Sequence, residues 1–286
     1  MQAFFWMMGT LASFALMAVG ARELSGDIAT QQTLFIRSVI GLFCVLLISF
    51  LSQKRIKFQT KRLKLHTMRN IFHFLGQYGW FIGLGLLPLA EVFALEFTVP
   101  IWTLIIASLF LGEKITQSKL VSIALGFLGV FVILKPGIAM VNSASLFVLA
   151  SAVCYAISHT ATKSLSATES PLSILFYMCL VQMPIGLCLS VSSWVWPEGM
   201  QWSWLVIIGL TALSAHFCIA KAMQYAEATT VVTLDFLRLP LIALVGVVLY
   251  SESIEIGLIF GGLLMLAANI VSMRGRRVVN ANNKEL

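Results

Sequence analysis

Apolar residues recur along the chain in stretches long enough to cross a hydrocarbon layer ~30 Å thick, for which a helix needs about 20 residues. Ten such stretches follow one another, at 4–20, 30–51, 67–87, 90–111, 118–134, 146–164, 171–190, 202–224, 228–250 and 254–273. Each predicts a spanning helix, because backbone groups in hydrocarbon must find their hydrogen-bond partners within their own segment. The intervening segments are short and leave no room for an extramembrane domain, so any chemistry is expected inside the bilayer. The first run has no Lys or Arg before Arg22 and so lacks the basic leading region of a cleavable signal peptide.

Composition agrees with that pattern. Of 286 residues, 59% are hydrophobic and 11% charged, against roughly 25% charged in soluble domains. So few charges cannot cover the outside of a soluble fold, which excludes soluble enzymes and nucleic-acid binders. The net charge of +7 is concentrated in short segments beside apolar runs and reads as anchoring to a membrane surface. Basic residues in short loops stay on the cytoplasmic side. With the N-terminus inside, fifteen of the nineteen Lys and Arg fall on that side, including Lys54, Arg55, Lys57, Lys61, Arg62, Lys64 and Arg69 of the second connection, Lys114 and Lys119, and the tail after 274. The outward Ser193–Glu198 connection has no basic residue and carries Trp194 and Trp196, as an interfacial aromatic belt does. The expected location is the bacterial inner membrane, with both termini cytoplasmic.

The two halves of the chain repeat weakly at an offset of 139 residues, Leu95-Glu96-Phe97 matching Leu234-Asp235-Phe236 and Glu113-Lys114-Ile115 matching Glu252-Ser253-Ile254. Five spans is an odd number, so the second half would enter the membrane from the opposite side, giving an inverted repeat of the kind transporters use. The predicted fold is an all-α polytopic membrane protein with ten transmembrane helices in two inverted five-helix repeats, residues 1–136 and 144–274, followed by a tail at 275–286.

Specific residues carry a family resemblance. The stretch Pro88-Leu89-Ala90-Glu91 through Phe97-Thr98-Val99-Pro100, then Phe110-Leu111-Gly112-Glu113 and the Gly126 to Gly129 span ending at Leu134-Lys135-Pro136, resembles the repeat unit of EamA-type drug/metabolite transporters. The likeness implies the same ten-helix arrangement and transport of small metabolites such as amino acids, nucleobase derivatives, vitamins or sugars. The second repeat departs from it with Tyr250-Ser251-Glu252 where the first has Leu111-Gly112-Glu113.

An ionisable side chain at the centre of a spanning helix costs about 2.5–3.5 kcal/mol on insertion scales and tends to face a cavity or a partner. Glu96, Asp235, Arg238 and Arg37 lie inside predicted spans. Glu96 has no basic residue within a turn of its own span and reads as an unpaired carboxylate, able to hold a proton or meet a substrate ammonium. Asp235 and Arg238, three residues apart, read equally as a neutralised structural pair or as part of a site. Polar stripes at helical spacing, Asn70/His73/Gln77, Ser151/Tyr155/His159/Thr162 and Glu96/Pro100/Thr103, are expected to face the interior. The substrate-binding candidates are therefore Gln77, Tyr78, Glu96, Tyr155, His159, His216, Asp235 and Arg238, although tyrosines in spans also serve as packing and a histidine can simply bond a neighbouring helix. Pro100 and Pro240 interrupt helical hydrogen bonding and mark a hinge or a tolerated kink. Gly79/Gly83 and Gly257/Gly261 have the spacing of closely packed helices.

The five cysteines are dispersed in spans and read as packing residues. With neither a Walker-type nor a dinucleotide glycine motif, no cofactor is expected and ATP-driven transport is disfavoured. The function expected from the sequence is secondary transport by alternating access, export of a small metabolite such as an amino acid first, uptake of a vitamin or nucleobase-type nutrient second, and a scaffold or sensor third. A proton is the candidate coupling ion; the chain is monomer or homodimer.

Overall fold

The fold is built from apolar helices, because a backbone surrounded by apolar side chains pairs most readily with itself. The computed structural model describes residues 2–24, 26–52, 58–86, 92, 95–134, 143–250 and 256–282. Among them are α1 (Gln2–Glu23), α2 (Thr30–Leu51), α3 (Leu63–Leu86), α4 (Val99–Leu111), α5 (Gln117–Leu134), α6 (Ser143–Ser166), α7 (Pro171–Ser190), α8 (Met200–Tyr225), α9 (Ala228–Leu234), α10 (Arg238–Tyr250) and α11 (Ile256–Asn282). Five of them, α1, α2, α6, α7 and α8, are long and apolar enough to cross a membrane by length and composition. Large apolar side chains point outward along them, Phe5, Phe43 and Phe50 among others, as lipid-facing surface requires. The motif segments Pro88–Glu91, Lys135-Pro136 and Ser251–Ser253, together with Lys54, Arg55, Lys57 and Lys284, lie outside the described residues.

Two compact units divide the chain, one holding Met1–Tyr78 and Ala161–Tyr225, the other Gly79–Thr160 and Ala226–Leu286. Each combines residues of both sequence halves. In the first unit α1 packs on α8, and α2 on α7 and α8. Small residues let these backbones approach: a side chain at Gly186 would press on Phe35, one at Gly209 on Ile40, and one at Gly41 on Cys179. Leu24, Ile28, Ile36, Leu205 and Ile208 fill one end of this unit. At that end Gln32 accepts a hydrogen bond from the Val195 N–H at 3.0 Å and donates to its carbonyl, so the loop with Trp194 and Trp196 is fixed by a side chain inside α2.

The second unit joins α5 to α11, and α9 to α4, α5 and α11. Its core is Phe97, Phe236 and Met265, with Trp80 and Phe127 against it. Gly126 admits the Phe236 ring, and Gly129 the Gly261 carbonyl and Met265. Gly79 and Gly83 bring α3 onto Ser151 and Val148 of α6.

Several readings from the sequence change here. The run 228–250 is broken: α9 ends at Leu234, Asp235–Leu237 form a 3₁₀ turn, and α10 begins at Arg238. In the run 90–111 the helical Leu95-Glu96 pair is followed by a turn at Phe97-Thr98 before α4 begins. Neither proline sits at the break itself. Pro100 and Pro240 occupy the first turn of the helix that follows, where a missing N–H has no intrahelical partner to lose. Arg69 and Lys119, counted above with the cytoplasmic charges although the runs 67–87 and 118–134 take them in, lie within α3 and α5, at 3% and 8% exposure. The helix α11 also continues to Asn282, through the segment read as tail.

Candidate functional site

Two buried polar clusters occur, one in each unit. The cluster of the second unit stands at the two helix breaks. The start of α9 is held by Glu113, whose carboxylate accepts from the Ala228 N–H at 2.7 Å and from the Thr229 hydroxyl at 2.8 Å, as a carboxylate placed at a helix N-terminus can. Lys119 bridges Glu113 at 3.3 Å and Glu227 at 3.0 Å. With its start fixed, α9 delivers Asp235 and Arg238 to the turn after it. Arg238 donates through Nη2 to Glu96 Oε1 at 2.5 Å and lies 3.1 Å from Asp235 Oδ2. Trp80 Nε1–H donates to the other oxygen of Glu96 at 2.8 Å. The guanidinium also lies 5.7 Å from the Phe97 ring centroid, within cation–π range.

This overturns the expectation that Glu96 is unpaired. Its cation comes from 142 residues away, beyond any rule about neighbours in one helix. Two carboxylates share one guanidinium, so with both ionised the cluster keeps a formal charge of one negative. Asp235 Oδ1 is buried with no hydrogen-bond partner among the described residues. Tyr155, on α6, packs by Val99, Ala152, Ala156 and Val232, and its ring lies 6.5 Å from that of His159 one turn on. Among the described residues no three His, Cys, Asp or Glu side chains gather as a metal-ligand set.

The cluster of the first unit contains amides, imidazoles and guanidiniums. Arg37 donates to Gln77 Oε1 at 3.0 Å and to Gln182 Oε1 at 2.9 Å. Gln182 Nε2 lies 2.7 Å from His73 Nδ1, and the His73 ring meets His216 edge-on at 4.6 Å between centroids. His216 packs edge-on against Phe14 on its other side. Asn70, His73 and Gln77 are each buried, so their stripe faces the interior as its periodicity implies. Tyr78 stacks along its own helix on Phe74.

The eight sequence candidates thus divide. Glu96, Asp235 and Arg238 come together, Tyr155 and His159 share a face of α6 in the same unit, and Gln77, Tyr78 and His216 belong to the other unit. Trp80 and Gln182 were not among them. Trp80 lies three residues beyond Gln77 and extends its stripe, and Gln182 is an amide deep in an apolar run; both signals were present.

Comparison with known proteins gives a consistent assignment. The profile of the EamA-like transporter family matches residues 1–135 and 142–274. An S-adenosylmethionine uptake transporter of Rickettsia felis is 26% identical over 93% of this chain and 90% of its own. A riboflavin transporter of Brucella anthropi is 32% identical over 76% of this chain and 78% of its own. The pseudopaline exporter CntI of Pseudomonas aeruginosa is 26% identical over 95% and 96%. A solved crystal structure, 16% identical, superposes with a TM-score of 0.81 over 96% of this chain and 98% of its own, which shows a shared fold.

Proposed function

The chain belongs to the EamA-like transporter family and is a multi-pass membrane protein, and from that premise we propose that it is a secondary carrier for a small metabolite with a cationic or protonatable group and an aromatic heterocycle. The observation that carries this reading is the sharing of Arg238 by Glu96 and Asp235 at the break between α9 and α10. A broken helix inside a spanning run exposes backbone groups and is the feature around which transporters build substrate and ion sites. The residual negative charge and the partnerless Asp235 Oδ1 suit a substrate cation or a coupling proton, and Trp80, Phe97 and Tyr155 offer aromatic faces. His159, on the same helix as Tyr155, is assigned to substrate contact in the same proposal, and Gln77, Tyr78 and His216 to substrate contact within the first unit.

The proposed mechanism is alternating access in the bacterial inner membrane, with ten spans in two inverted repeats and both termini cytoplasmic. The offset of 139 residues supports it, since it carries Glu96 onto Asp235 and both acids adjoin a helix break. Uptake is the first reading of direction, supported by the S-adenosylmethionine uptake relative. Export, the direction placed first from the sequence, is favoured by the exporter aligned over nearly its whole length. The test is counterflow in proteoliposomes of the purified chain, with labelled S-adenosylmethionine and labelled riboflavin in separate arms. Accumulation of either label against unlabelled internal compound is expected. Failure of both to exchange would remove this substrate class. Labelling of Ser193→Cys from outside, with Gln59→Cys spared, tests the orientation; the reverse pattern would invert it.

A further inference from the structure

Arg69 lies in α3, 3% exposed. Its Nη1 donates to Asn70 Oδ1 at 2.5 Å and its Nε to the Thr162 hydroxyl at 3.0 Å. Both acceptors are neutral, and among the described residues no carboxylate forms an ion pair with it. A guanidinium removed from water ordinarily requires a counter-charge. Asn70 is wholly buried; its Oδ1 accepts from Arg69, and its Nδ2 donor has no acceptor among the described residues. A second cation stands nearby: Gln182 reaches the Asn70 carbonyl at 3.5 Å and the Arg37 guanidinium at 2.9 Å. Arg37 also borders a small cavity with Ser38, Gly41, Cys179 and Gly209.

From the neutral acceptors of Arg69, the vacant donor of Asn70 and the second guanidinium, we infer that this part of the first unit binds a small singly charged anion, a carboxylate or a halide, held by Arg69 and Asn70 Nδ2 within the field of Arg37. The anion supplies the counter-charge that no described side chain gives Arg69. Hydrogen bonds from charged donors to an anion are stronger than those to neutral amides. The donor set fits the chemistry, since Arg69 and Asn70 contribute N–H groups and, among the described residues, no carboxylate oxygen bonds to them. The inference goes beyond the transport reading and does not rest on it.

The experiment is thermal unfolding of the full purified chain in detergent, at constant ionic strength, with methanesulfonate replaced stepwise by chloride in one arm and by acetate in the other. A rise in unfolding temperature of about 5 °C over the titration is expected in at least one arm, since an anion that binds the folded state alone stabilises it with the logarithm of its concentration once this exceeds the dissociation constant. Response to acetate alone identifies a site for an organic carboxylate; response to chloride alone identifies a halide site. The variant Asn70→Asp places a carboxylate beside Arg69 and is expected to unfold, without added anion, above the anion-free wild type and to lose the response. Arg69→Met, which removes the charge, is expected to lose it as well. An equal response in whichever variant folds, or no response of the wild type to either anion, overturns the inference.

Discussion

The two units bury charge in opposite ways. In the second, one guanidinium serves two carboxylates, Glu96 and Asp235, with an indole N–H completing Glu96. In the first, the acceptors that meet Arg37 and Arg69 are Gln77, Gln182, Asn70 and Thr162, amides and a hydroxyl. The arrangement of the second unit nearly balances its charge and keeps one excess negative, which suits a site that trades a cation. That of the first unit gives Arg69 only neutral acceptors among the described residues and leaves the Asn70 amide donor open, which suits an anion. Charge compensation is a requirement of its own in a low-dielectric interior, and among the described residues the second unit leaves a negative charge unmatched and Arg69 of the first a positive one.

If that contrast is right, substitutions should act unequally. The largest effect is expected from Arg238→Gln, which leaves the buried Glu96 carboxylate beside the half-buried one of Asp235 with no cation between them. Breaking a buried ion pair from one end costs about 3–5 kcal/mol, so folded yield and unfolding temperature should both fall and transport should vanish. A normal unfolding temperature would show that the cluster is wetter than its burial implies. Next comes Gly126→Ala, whose new methyl meets the fully buried Phe236 ring. Overpacking of that kind costs about 1–3 kcal/mol, and because Phe236 adjoins Asp235, chemical denaturation and transport should worsen together.

A smaller effect follows in the first unit from Gln182→Leu. This removes a neutral acceptor from Arg37 and the contact with His73, for a loss of about 1–2 kcal/mol in thermal unfolding. A loss as large as that of Arg238→Gln would erase the distinction between the clusters. Smallest is Gly186→Ala, where the added carbon would lie 3.1 Å from Phe35. A slight yielding of the α2 and α7 pair should hold the loss below about 1 kcal/mol.

The sequence revealed local relations better than distant ones. The stripe Asn70, His73 and Gln77 was visible because a helix repeats its face every three to four residues, and Asp235 with Arg238 for the same reason. The Glu96 to Arg238 pair was invisible, since neither span signals which other span it meets. The break at Asp235–Leu237 was missed because the run 228–250 stays apolar throughout and hydropathy does not register a 3₁₀ turn. The prolines marked the region of each break but were assigned the wrong role, because a proline tolerated in a first turn looks the same in sequence as one that kinks a helix. Arg69 counts among the loop charges because it follows a run of basic residues, although the apolar run 67–87 already takes it in; α3 begins at Leu63, six residues earlier. Its burial only becomes visible with Asn70 and Thr162 in place.

The central claim, that the acid cluster of the second unit is where transport is coupled to a cation or proton, is tested most directly by Glu96→Gln in proteoliposome counterflow. The amide keeps the shape, and Arg238 keeps Asp235, so the variant should fold and unfold near the wild-type temperature. Exchange should fall about 100-fold, the worth of one charge-assisted hydrogen bond. Exchange at the wild-type rate with an unchanged dependence on external pH would contradict the claim and leave Glu96 as a structural partner of Arg238 alone.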